Sequence, residues 1–159
     1  MSFEEIQITV TNDYEKLVEL FIKNDLEFSV NDEVPTDLIK LWKAQKIIEN
    51  KDQCNSYIAF LIGGCVLAKR QGEYIIDGIA VEPEYRKSKL GKSLLEKAID
   101  EVKKLGGKQL FLVARAPEFF RKQGFVTVER NDAPNFFECL TCPQYGKDCF
   151  PEVMKLEIK

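Results

Sequence analysis

Residues 77–95 read DGIAVEPEYRKSKLGKSLL. The β-prone run ending at Ile79-Ala80-Val81 is broken by Glu82-Pro83, and a helical spacing starts at Leu90. That spacing continues through Leu94, Leu95, Ala98, Ile99, Val102 and Leu105 to a Gly106-Gly107 stop. A strand that breaks into a loop and then a helix presents backbone N–H groups at the helix start. Orphan donors and the helix dipole favour an anion there. Four cations gather on this loop: Arg86, Lys87, Lys89 and Lys92. Cations at a helix N-terminus oppose the dipole, so their accumulation makes sense when a polyanion lies over them. A solvated basic loop is the plainer alternative. The loop has one glycine, Gly91, and matches neither the Walker pattern nor the dinucleotide fingerprint.

Outward from this stretch, the flanking sequence supplies a sheet and its helices. Ile6, Ile8 and Val10 alternate with polar residues, as a half-buried first strand does. Thr11-Asn12-Asp13 offers capping chemistry ahead of Leu17, Leu20 and Phe21, which are spaced for an amphipathic helix. After a loop at Asp32–Pro35, the spacing of Leu38, Leu41, Trp42 and Ile47-Ile48 predicts a second helix from about Thr36. Residues 56–81 read as an antiparallel meander. Its runs 57–62, 65–68 and 74–76 are punctuated by Gly63-Gly64 and Gln71-Gly72. Downstream come a buried-looking strand at Gln109–Ala114, a short helix at Pro117–Lys122, a strand at Phe125–Val128 and a last strand at Val153–Ile158. The order β-α-α-β-β-β-α-β-α-β-β predicts an α/β or α+β sheet with helices on its faces.

The chain has 159 residues, 45% hydrophobic and 31% charged, which fits one globular domain over residues 1–159. A net charge of -3 argues against nucleic acid as a partner, since that needs a large positive field. No apolar run reaches membrane-spanning length and the first residues are acidic, so the expectation is a cytoplasmic protein with no membrane partner. There is no histidine, which removes the commonest general base and metal ligand.

Val81, Pro83, Arg86 and Gly91 match in register the motif Val-x-Pro-x-x-Arg/Gln-x-x-Gly-x-Gly/Ala, and Phe119–Phe125 resembles a second motif, a short helix ending in Gly-Phe. With the element order, these residues resemble the GNAT superfamily of N-acetyltransferases. The resemblance implies a mixed, mostly antiparallel twisted sheet with helices on both faces and a splayed parallel strand pair, ending near Val81 and Ala114. It implies acetyl-CoA as cosubstrate in that gap. Ile79, Ala80 and Val81 would pair with the pantetheine arm as an added strand would. The pyrophosphate would lie over the amides of Arg86, Lys87, Ser88, Lys89, Leu90 and Gly91, with Lys92 and Ser93 at the helix start.

Two positions depart from that pattern. Lys89 replaces the first loop glycine; a side chain is tolerated there if the residue keeps a negative φ with its chain outward, its ammonium reaching a phosphate or standing in solvent. Phe120 stands where many members place the tyrosine that protonates the departing thiolate, so water, Tyr85 or Tyr145 would have to serve. Both departures resemble the glutamate N-acetyltransferase-like subgroup, which implies a small amine or amino-acid acceptor.

Transfer to an amine needs that amine neutral, and carboxylates are the natural proton acceptors in a chain without histidine. Asp77, on the strand parity of Ile79 and Val81, would act through a water; a local hydrogen-bonding role is its plainer alternative. Glu33 and Glu138 are the other candidates. Direct attack on the thioester is expected rather than a covalent cysteine route.

The cysteines are Cys54, Cys65, Cys139, Cys142 and Cys149. Cys139, Cys142 and Cys149 are one ligand short of a tetrahedral zinc site, and buried thiols packing a loop are the preferred reading. The functional expectation is an acetyl-CoA-dependent N-acetyltransferase. A non-catalytic acyl-CoA-binding sensor is the alternative, and a homodimer stays open.

Overall fold

The computed structural model describes residues 4–23, 37–49, 56–70, 72–86, 89–114, 117–128 and 152–158. Among them are seven strands and three helices, in chain order β1 (Glu4–Thr11), α1 (Tyr14–Lys23), β2 (Asp37–Glu49), β3 (Tyr57–Arg70), β4 (Glu73–Val81), α2 (Leu90–Lys104), β5 (Gln109–Ala114), α3 (Pro117–Lys122), β6 (Val126–Thr127) and β7 (Glu152–Glu157). The strands lie in the order β1-β2-β3-β4-β5-β7-β6. β4 and β5 run parallel, in register at Ile75↔Phe111. The pairs β1/β2, β5/β7 and β6/β7 are antiparallel. This is the mixed, mostly antiparallel sheet that the sequence implied. No helix among the described residues is long and apolar enough to cross a membrane.

The chain divides into two compact units, one of Met1–Phe28, Lys40–Val66 and Gly78–Lys97, the other of Ser29–Ile39, Leu67–Asp77 and Ala98–Lys159. In the first, α1 begins at a side-chain cap, where Asp13 Oδ1 accepts the Lys16 N–H at 3.3 Å. Its apolar stripe, Leu17 and Phe21, packs with Leu41 and Val66 in a core that Tyr14, Leu61 and Ala80 extend. Two glycines let this helix sit close. A Cβ on Gly64 would run into Leu17, and one on Gly78 would lie 2.7 Å from Phe21 Cδ2. Gly63, the neighbour of Gly64 and on the opposite face of β3, would carry a Cβ 3.2 Å from Leu94 of α2.

These contacts overturn one expectation. Gly63-Gly64 does not punctuate a meander; β3 runs unbroken through both residues, because each glycine seats a helix rather than turning the chain.

A second correction concerns residues 37–49, which are a strand and not a helix. Their register with β1 runs from Glu4↔Ile48 to Thr11↔Leu41. Leu38, counted in the supposed helical stripe, is exposed, while Trp42 and Ala44 are buried. The strand ladder along β1 and the β-branched and aromatic content of β2 outweigh a local spacing compatible with either structure.

In the second unit, β5 lies between its neighbours with Leu110, Phe111, Leu112 and Ala114 all buried, so both of its faces are covered. Its bounds and those of α3 are the ones the sequence predicts. Helix α2 ends in a Schellman pattern, with Gly107 N–H to Val102 O at 2.9 Å, Gly106 N–H to Lys103 O at 3.1 Å, and Gly106 at φ 79°.

Candidate anion-binding site at the start of helix α2

The site elements in the first unit are the end of β4, the loop after it and the first turn of α2. Proline at Pro83 cannot extend the ladder, and the chain folds into a 3-10 turn over Pro83–Tyr85. Tyr85 N–H donates to Glu82 O at 2.9 Å and Arg86 N–H to Pro83 O at 3.4 Å. Arg86 Nε donates to the Val81 carbonyl at 3.1 Å, while the Glu82 N–H donates to Ile62 O at 2.8 Å. The Glu82 carboxylate pairs with Lys23 of α1 at 3.2 Å. Lys46 of β2 lies 5.8 Å from the centroid of the Tyr85 ring.

Lys89 is the residue before the helix, and its φ is 63°. The condition of a negative φ is therefore not met. Lys89 adopts the left-handed conformation for which glycine is the default, so its side chain replaces the glycine without changing the backbone path that a glycine would take. Its side chain is exposed. The first intrahelical bond is Ser93 N–H to Lys89 O at 3.1 Å. The amides of Leu90, Gly91 and Lys92 precede that bond and have no acceptor within the helix. No acidic side chain occupies the first turn. Leu90, Leu94 and Leu95 are buried and anchor the turn, leaving Lys92 exposed on its outer side. Such a turn offers hydrogen-bond donors and positive charge to an anion.

The structure thus brings Ile79, Ala80, Val81, Arg86, Lys89, Leu90, Gly91, Lys92 and Ser93 into one unit. Lys87 and Ser88 of the same loop lie outside the described residues. Asp77, Ala114 and Phe120 belong to the second unit. Asp77 is in an ion pair there, its Oδ1 accepting from Arg70 Nη2 at 3.0 Å. Ala114 is buried at the end of β5. Phe120 is 8% exposed and packs edge-to-face on Phe119 and Phe125, with centroids 5.0 and 5.8 Å away. That packing is set by the end of α3, where Phe125 N–H returns to Phe120 O at 3.1 Å.

Glu33, Glu138, Tyr145, Cys54, Cys139, Cys142 and Cys149 lie outside the described residues. Cys65 is fully buried, and burial pushes its thiol far above the ordinary range, so it is neither nucleophile nor ready ligand. No cluster of three or more metal-ligating side chains occurs among the described residues. Sequence reasoning missed Arg70, Lys23 and Lys46. Arg70 ends an apolar strand and carries no motif, and Lys46 lay in the segment read as helix.

Known proteins resemble the chain in both sequence and fold. Residues 52–127 match the family model of the acetyltransferase (GNAT) domain. A stretch of 57 residues is 40% identical to an amino-acid acetyltransferase of Aeromonas salmonicida (strain A449), covering 35% of this chain and 13% of that protein. An acetyltransferase of the GNAT family from Staphylococcus aureus Mu50 superposes with a TM-score of 0.64 at 20% identity, over 98% of this chain and 100% of that one. N-acetylglutamate synthase from Neisseria gonorrhoeae, complexed with coenzyme A and N-acetyl-glutamate, superposes with a TM-score of 0.61 at 16% identity, over 99% of this chain and 35% of that one. At these identities the structural likeness is one of fold.

Proposed function

We propose that the chain, whose residues 52–127 match the acetyltransferase (GNAT) domain model, moves the acetyl group of acetyl-CoA onto the amine of a small acceptor such as an amino acid. The observation that carries the reading is the turn from Lys89 into α2. A left-handed residue, three amides with no helical acceptor and no acidic side chain suit a pyrophosphate. In this reading Leu90, Gly91 and Lys92 donate backbone N–H groups, Lys89 and Lys92 add charge, and Lys87 and Ser88 complete the loop. The amino-acid acceptor draws its support from the A. salmonicida relative and the N. gonorrhoeae neighbour.

The chemistry proposed is direct attack by the neutral amine on the thioester carbonyl. The C–N bond forms, the C–S bond breaks, and the thiolate leaves with the electron pair. The thiolate's conjugate acid is near an ordinary thiol, with a pKa of about 8.5, so protonation by water suffices and Phe120 need not supply a hydroxyl. Asp77 and Glu33 are proposed to accept the amine's proton. Asp77 would do so through a water, since its Oδ1 is committed to Arg70.

Phe120 also supports a second reading, a non-catalytic acyl-CoA sensor, because a buried phenyl ring cannot protonate a leaving group. A thiol-release screen with acetyl-CoA over amino acids, polyamines and peptides separates the two. Acceptor-dependent release of CoA supports the enzyme. CoA binding without release for any acceptor supports the sensor, and no CoA binding at millimolar ligand overturns both.

A further inference from the structure

We propose that Arg86 is a positioning residue, whose Nε pins the Val81–Glu82 peptide at the end of β4, and that the cosubstrate loop depends on this bond rather than on a guanidinium–phosphate contact. The inference rests on the acetyl-CoA reading above and assigns one residue's part in that site.

The peptide between Val81 and Glu82 is held at both of its polar ends. Its carbonyl accepts from Arg86 Nε at 3.1 Å, and its N–H donates to Ile62 O at 2.8 Å. A peptide unit is planar, so fixing both ends fixes the direction in which the chain leaves the sheet. The turn from Pro83 to Arg86 is aimed from there. The 3-10 turn at Pro83–Tyr85 brings Arg86 back over the strand end. Lys23 on Glu82 and Lys46 on the Tyr85 ring hold that turn to α1 and β2. A charged donor is a stronger partner for this carbonyl than a neutral one.

The bond to the Val81 carbonyl runs through Nε, and this makes the two roles separable. Glutamine places an amide nitrogen at the same number of bonds from Cα as arginine's Nε, uncharged but able to donate. Lysine keeps the charge and sets its ammonium a bond further out. A pin is rescued by glutamine, whereas a phosphate contact is rescued by lysine.

The test is calorimetry with CoA on the parent, Arg86→Gln, Arg86→Lys and Arg86→Ala at two ionic strengths, with hydrogen exchange of the Glu82 amide in each ligand-free protein. Arg86→Gln is expected to bind CoA within about threefold of the parent, while Arg86→Ala loses about tenfold or more, the worth of a charge-assisted bond. Arg86→Lys should bind more weakly than Arg86→Gln. The ionic-strength dependence of affinity should be the same for parent and Arg86→Gln, since no ligand-facing charge is lost. The Glu82 amide should stay protected in the parent and Arg86→Gln and exchange faster in Arg86→Ala. The proposal is overturned when lysine holds affinity that glutamine loses, or when the Glu82 amide is equally protected in all four proteins. A parent that binds no CoA removes the acetyl-CoA reading instead, and the exchange comparison still decides whether Arg86 holds the peptide.

Discussion

Arg70 Nη2 and Asp77 Oδ1 meet at 3.0 Å, with only 10% and 5% of their side-chain surfaces exposed. Removing one partner of such a pair strands the other charge out of water. Asp77→Ala should therefore lower stability by roughly 3–5 kcal/mol in denaturant titration, and replacing both residues with apolar ones, Arg70→Met with Asp77→Leu, should recover most of it. The double variant also tests the chemistry. If it folds and still releases CoA thiol at the parent rate, Asp77 takes no proton in the reaction.

Gly78→Ala and Gly63→Ala should differ in severity although both sit in the first unit. At Gly78 the new methyl meets Phe21, whose ring atoms Cδ2 and Cζ would be 2.7 and 2.9 Å away and which is fully buried. We expect a loss of about 1–3 kcal/mol there from overpacking. At Gly63 the nearest atoms are 3.2 and 3.3 Å away and the first belongs to a leucine methyl, so the loss should be clearly smaller. Thermal unfolding of the two variants side by side checks the order.

Legibility in the sequence follows from where structure is local. β5 and α3 are readable because the Gly106-Gly107 stop lies shortly before the first, a proline opens the second, and each is a single uninterrupted pattern. β2 is not readable, since its identity depends on pairing with β1 and its apolar spacing serves either period. The roles of Gly63 and Gly64 are set by side chains arriving from α1 and α2, far along the chain. At the site, the motif residues from Val81 to Ser93 are visible as a pattern, whereas the Arg70–Asp77 pair and the two bonds on the Val81–Glu82 peptide are tertiary and leave no spacing to find.

Lys89→Gly should stabilise the protein. A non-glycine residue in the left-handed region costs about 1–2 kcal/mol, and glycine's greater unfolded-state freedom returns about 0.5–1 kcal/mol of that. The net gain, between about 0 and 1.5 kcal/mol, corresponds to a rise in Tm of about 2–4 °C per kcal/mol for a chain of this size. Lys89→Ala removes the same charge and keeps the strain, so it should show no such rise. Where both variants lose CoA affinity equally, the ammonium is a ligand contact; where neither does, it stands in solvent.

Cys65 should resist alkylation in the folded protein at pH 8 and react only on unfolding, which peptide mapping of the labelled site reads directly. Its thiol is pushed up by burial, so the folded state keeps a proton that the unfolded chain releases above about pH 8.5. Below that value the contribution of this group to stability does not change with pH. Above it the parent should lose stability relative to Cys65→Ala as pH rises, and a parallel pH dependence would contradict the burial.

Gly63 and Gly64 are consecutive, yet each answers to a different helix: Gly63 to Leu94 of α2 and Gly64 to Leu17 of α1. A glycine codon becomes an alanine codon by a single-base change, so either helix can be displaced outward by one mutational step that leaves the other seated. For descendants of this chain, the depth of α1 and that of α2 are thus separately heritable traits, encoded at adjacent positions.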